Sequence, residues 1–83
     1  MTGHLLLELT EVDHFCNWIN TFKSLVYAIE NNRVVYIKSI ISLLTLDLSK
    51  PIKIKIESED KYELDAFKEI ILRYGGTIDD DEI

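Results

Sequence analysis

Few side chains in this sequence carry reactive chemistry, and their surroundings limit what that chemistry is. His4 and His14 are the imidazoles, Cys16 is the single thiol, and Ser39 is a hydroxyl directly after Lys38. An imidazole works as a nucleophile or base when a second group is placed to assist it. His14 instead shares helical spacing with Asn17 and Thr21, which marks a solvated polar face. His4 stands at the start of an apolar segment and has still less to recommend it. Cys16 falls on an apolar stripe without a cationic neighbour, as a buried and inert thiol does. Glu11 and Asp13 are two positions apart, so on a helix they point to different sides and act as N-terminal charges rather than as an acid–base pair. The run Asp79-Asp80-Asp81-Glu82 lacks the ligand spacing of a calcium loop. No metal and no cofactor are expected.

The elements that must position these groups follow from hydrophobic periodicity. Leu5, Leu7 and Leu9 alternate and predict a first strand. Thr10 is placed to cap a first helix, whose stripe is Val12, Phe15, Cys16, Ile19 and Phe22 and which ends near Lys23. Trp18 lies off that stripe, toward Asn17 and Thr21. Leu25 to Ile29 and Arg33 to Ile37 predict a hairpin around Asn31-Asn32, residues that tolerate positive φ. Ser39 caps a short second helix through Ile40, Leu43, Leu44 and Leu46, with Pro51 marking its limit. Ile52 to Glu57 alternates strictly, isoleucines on one face and charges on the other. Asp60, with Glu63 three residues on, caps a last helix striped by Ala66, Phe67, Ile70, Ile71 and Tyr74 and stopped by Gly75-Gly76. The order is β-α-β-β-α-β-α. The expected class is α+β, a four-stranded antiparallel sheet with three helices on one face and water on the other.

Composition narrows the classes. With 83 residues, 47% apolar and 29% charged, the chain has room for one core; residues 1–76 are expected to form the domain, and residues 77–83 a mobile acidic tail. The formal charge of −6 repels phosphate backbones and anionic lipid, so neither nucleic acid nor membrane is an expected partner. One cysteine permits no internal disulfide, and Leu5-Leu6-Leu7 is broken by Glu8 without a basic region before it, so a cytoplasmic location is expected.

The segment Tyr36-Ile37-Lys38-Ser39-Ile40-Ile41-Ser42-Leu43-Leu44-Thr45-Leu46 resembles the pattern L-K-S-I-M-G-V-M-S-L of the HPr phosphocarrier family, with Lys-Ser-Ile in common. Ile52 to Ile56 resembles that family's last strand, and Glu63 to Tyr74, with Ala66 at the family's alanine, its last helix. Phe22-Lys23-Ser24 and Asn31-Asn32-Arg33 resemble the end of its first helix and its hairpin, so the likeness spans most of residues 5–75. The departure is at the front. Phosphocarriers hold a G-L-H-(T/A)-R-P loop whose histidine takes phosphate from enzyme I, whereas here Leu9 runs straight into Thr10-Glu11-Val12-Asp13, acids that repel a phosphoryl group.

The resemblance thus implies a bacterial, non-enzymatic relative of the sugar phosphotransferase proteins that lacks the phosphoacceptor loop. A regulatory or protein-interaction module is the first expectation. A divergent phosphocarrier using His14 is the alternative, and a small ligand- or RNA-binding domain of split β-α-β topology comes third, disfavoured by charge and by the expected lack of a basic aromatic sheet face. Ser39 matches the family's kinase-modified regulatory serine, although a plain helix cap is the reading its position favours; Ser42 replaces the family's glycine. Lys38, Ile40, Ile41 and Leu44 match its docking surface, so the implied partners are a transcriptional repressor, the HPr kinase or a second copy of the chain.

Overall fold

A computed structural model describes residues 1–79. Five strands and three helices run in the order β1 (Thr2–Leu5), α1 (Val12–Ile19), β2 (Leu25–Glu30), β3 (Arg33–Tyr36), α2 (Ile40–Leu44), β4 (Ile52–Glu57), α3 (Lys61–Arg73) and β5 (Thr77–Ile78), with a 3-10 turn over Leu9–Glu11. The sheet order is β3-β2-β4-β1-β5, antiparallel throughout. The expected four strands are therefore five. Thr77 and Ile78, assigned from sequence to the tail, pair with His4 and Gly3 of β1. The acidic residues 80–82 of the expected tail lie outside the described residues.

The alternation of β4 is realised as read: Ile52, Ile54 and Ile56 are buried while Lys53 and Glu57 face water. Val26 and Ala28 of β2 and Leu5 of β1 join them, and the helices cover that face with Phe15, Cys16, Leu43, Phe67, Ile70 and Ile71. Local chemistry sets several boundaries. Asn31 turns the hairpin at φ 56°, and Gly75 leaves α3 at φ 80°, each in the left-handed region. Ser39 accepts from the Ser42 N–H at 3.4 Å, and Asp60 from the Tyr62 N–H at 2.9 Å, both as expected N-caps.

The front of the chain departs from expectation. β1 begins at Thr2 and ends at Leu5, because β4 starts at Ile52, the partner of Leu5, and offers no ladder beyond it. Leu7 still reaches the core, but Leu9 lies in the 3-10 turn and is 72% exposed. Thr10 sits inside that turn rather than capping it; the Glu11 carboxylate accepts from the Glu8 N–H at 3.1 Å instead. Helix α1 ends at Ile19, four residues short of Lys23. The short helix α2 likewise stops at Leu44, although Leu46 is still buried.

Candidate functional site

The residues singled out around Ser39 come together on one exposed surface. Ile37, immediately before the helix, bonds through its N–H to the Val26 carbonyl at 3.0 Å and is buried, which anchors the chain as it leaves β3. Lys38 is exposed, and its carbonyl accepts from the Asn20 side-chain amide at 3.3 Å, which ties this connection to the end of α1. At the other end of α2, Arg33 donates to the Thr45 carbonyl at 2.7 Å and to Glu30 at 3.1 Å. A five-residue helix is thus held at both ends by neighbours.

Its burial follows from helical geometry. Leu43 is fully buried and defines the inward direction. At about 100° per residue, Ile40 and Leu44 fall on the flanks and Ile41 falls roughly opposite. Their exposures are 38%, 49% and 75% respectively. One anchor suffices for so short a helix, and the other large aliphatics are left at the surface. Ser39 is exposed too, with its hydroxyl at 3.4 Å from that of Ser42. A cleft of about 400 Å³ adjoins this surface, lined by Asn20, Lys23, Ser24 and Lys38 among others.

The other candidates lie apart from this surface in their chemistry. His14 is exposed on α1. Cys16 is buried, desolvation pushes its thiol pKa up, and its sulfur accepts from the Asn20 amide at 3.4 Å. A raised pKa means less thiolate, so Cys16 has no activated nucleophile character. Trp18 is exposed beneath the Arg73 guanidinium, which lies 5.8 Å from the ring centroid. Among the described residues no cluster of three or more His, Cys, Asp or Glu is placed to hold a metal ion, and no helix is long and apolar enough to cross a membrane.

Two features were not anticipated. His4 pairs through Nδ1 with the Asp79 carboxylate, just past β5. The open sheet face is also less plain than expected, since it carries Tyr27 and Tyr36 edge to face at 5.7 Å beside Lys53 and Lys55. This aromatic and basic pairing corrects the expectation of a face without one. It is not a free stacking platform, because the Tyr27 hydroxyl donates to Glu57 at 2.7 Å and Lys55 lies 3.4 Å from the same carboxylate. The signal for it was the alternation of Tyr27, Ile29, Val34 and Tyr36, but only strand register shows that they share a face.

The region between β1 and α1 bears on the phosphoacceptor. Residues 6–11 connect the two elements, so a connection exists where the sequence suggested none. Its residues, Leu6-Leu7-Glu8-Leu9-Thr10-Glu11, include no histidine.

No family model and no curated protein matches this chain. Among solved structures it is similar to the crystal structure of HPr-C-His from Thermoanaerobacter tengcongensis, with a TM-score of 0.72 and 20% sequence identity over 90% of this chain and 91% of that one. The five-stranded antiparallel sheet with its three helices is accordingly an HPr-like fold.

Proposed function

We propose that this chain is an HPr-like protein of phosphotransferase-system ancestry that acts by binding a protein partner through α2, and not by carrying phosphate on a histidine. The observation that carries this reading is the exposure of Ile40, Ile41 and Leu44 around a single buried anchor, Leu43. Exposed aliphatics clustered on one short element are what a docking surface requires. The absence of histidine from residues 6–11 and the acids Glu8 and Glu11 there support the second half of the reading. A phosphoryl group needs an imidazole with cationic assistance, and this connection supplies carboxylates.

Ser39 is the proposed point of regulation. Its hydroxyl is exposed and next to Lys38, so a phosphate would gain a nearby cation while adding charge to the edge of an apolar interface. Phosphorylation is proposed to change docking at α2. The partner is a protein in the cytoplasm, with a transcriptional repressor as the implied class.

Two incubations test this. Enzyme I with phosphoenolpyruvate is expected to leave the chain unmodified, whereas HPr kinase with ATP is expected to phosphorylate Ser39. Stoichiometric acid-labile phosphate on His14 would instead establish a divergent phosphocarrier. Affinity capture on the wild-type chain and on Ile41→Lys then tests the surface, and partners retained equally by both would rule it out.

A further inference from the structure

Strand register sorts the side chains of the sheet onto two faces. Leu25, Tyr27 and Ile29 of β2 stand beside Glu57, Lys55 and Lys53 of β4, while Tyr36 and Val34 of β3 stand beside Tyr27 and Ile29. They alternate with the buried Val26, Ala28, Ile54 and Ile56, so they form the face that no helix covers. Leu25, Val34 and Tyr36 are each 49% exposed, and Tyr27 and Ile29 between them are partly buried. Five apolar side chains thus adjoin on one half of the open face, on the order of 400 Å², a size at which the largest patch of a monomer is often functional.

Charge selects what covers them. Lys53, Lys55, Glu57 and Asp79 share the open face, and with His4 neutral their formal charges cancel among the described residues. The chain as a whole carries −6. A second copy approaching through this face therefore meets balanced charge at the contact, despite the acidity of the chain.

The order of charges along β4 is also self-complementary. A two-fold axis laid across the strands, along the row of Tyr27 and Lys55, exchanges the rows on either side of it. Ile29 of one copy then lies over Leu25 of the other, and Lys53 over Glu57, twice by symmetry. Both charged groups have capacity for this. Lys53 has no ion pair or hydrogen bond among the described residues, and Glu57 turns only Oε2 to the Tyr27 hydroxyl and to Lys55, which leaves Oε1. The two Lys55 side chains meet near the axis, each already held by its own Glu57 at 3.4 Å.

We infer that the open sheet face is a self-association surface, on which two copies stack sheet to sheet with their β2 and β3 halves in contact and Lys53 paired with Glu57 at the rim. The apolar patch is about half of the roughly 800 Å² that each partner of a stable complex buries, so the dimer is weak, with a Kd of about 0.1 mM. This surface lies on the opposite side of the sheet from α2, and its occupancy does not depend on the α2 reading.

Sedimentation velocity of the full-length chain from about 10 µM to about 1 mM is expected to show monomer passing to dimer. Leu25→Lys, at an exposed position, is expected to weaken the dimer about tenfold with an unchanged circular dichroism spectrum, whereas Ile41→Lys on α2 leaves the dimer as it is. Val34→Lys makes the same test should Leu25→Lys fail to fold. Lys53→Glu and Glu57→Lys should each dimerise about tenfold less well alone, and mixing the two variants should restore association, because each then meets the opposite charge in the other. A chain that stays monomeric at about 1 mM would overturn the inference. So would a mixture of the two charge variants no more dimeric than its components, or a dimer that is lost in Ile41→Lys and kept in Leu25→Lys.

Discussion

Glu63, in the first turn of α3, holds Ser24, the residue just before β2. Its carboxylate accepts from the Ser24 hydroxyl, from the Lys23 N–H at 2.7 Å and from the Ser58 hydroxyl at 2.9 Å. The sequence placed Glu63 in a capping box with Asp60, but its oxygens go to the loop after α1, nearly forty residues away. One side chain thereby joins three segments that periodicity treats as independent.

The Ser24 hydroxyl first, and the Lys23 N–H next, hold the Glu63 carboxyl below its usual pKa. A carboxylate depressed on folding stabilises the fold fully above its unfolded pKa and loses that contribution as pH falls through the lower folded value. Glu63→Ala is therefore expected to cost about 1 to 3 kcal/mol at neutral pH, the range for hydrogen bonds to a charged group. The gap between variant and wild type should narrow as pH drops below about 4. Thermal unfolding followed by circular dichroism from pH 7 to pH 3 checks both.

On α2, stability and docking should separate. Leu43→Ala empties a fully buried position and is expected to cost about 2 to 5 kcal/mol. Ile41→Lys changes a side chain that faces water, so its stability should stay within about 0.5 kcal/mol of wild type while partner capture falls. Urea unfolding of the two variants measures the first contrast, and pull-down measures the second.

The two glycines after α3 should differ in cost. A Cβ on Gly76 would meet the His4 carbonyl, with Leu5 Cβ at 2.7 Å and Ile71 Cγ2 at 2.9 Å. Gly75 has open space but φ 80°. Gly75→Ala is expected to cost about 1 to 2 kcal/mol for a left-handed residue. Gly76→Ala should cost more, because the clash is with backbone and core and also pushes β5 from β1. Faster amide exchange at Ile78 in Gly76→Ala, and not in Gly75→Ala, would identify that displacement.

Ser39→Ala removes the cap of α2 and is expected to cost about 0.5 to 2 kcal/mol, whereas Ser39→Asp, which can still accept from Ser42, should be close to neutral. If Ser39 also regulates docking, only Ser39→Asp will alter partner capture once stability is restored. Parallel melts and pull-downs distinguish the two roles.

Much of this architecture was legible without coordinates, and for a shared reason. The alternation of Ile52, Ile54 and Ile56, the caps at Ser39 and Asp60, the Asn31-Asn32 turn and the Gly75 stop are set by residues within one turn or one strand of each other. The exposed aliphatics of α2 were legible too, since a short helix cannot turn Ile40, Ile41, Leu43 and Leu44 all inward. What only the tertiary structure decided involves partners distant in sequence. β1 runs from Thr2 to Leu5, and not through the more apolar Leu9, because β4 supplies a ladder only there and because Gly3 lets Ile71 and the Thr77 carbonyl approach. β5 exists because β1 presents an open edge to a segment too short and too polar to signal a strand by itself. The edge position of β3 belongs to the same class: a strand's propensity is local, but whether it has one neighbour or two is a property of the sheet, fixed by pairings that no window of the sequence contains.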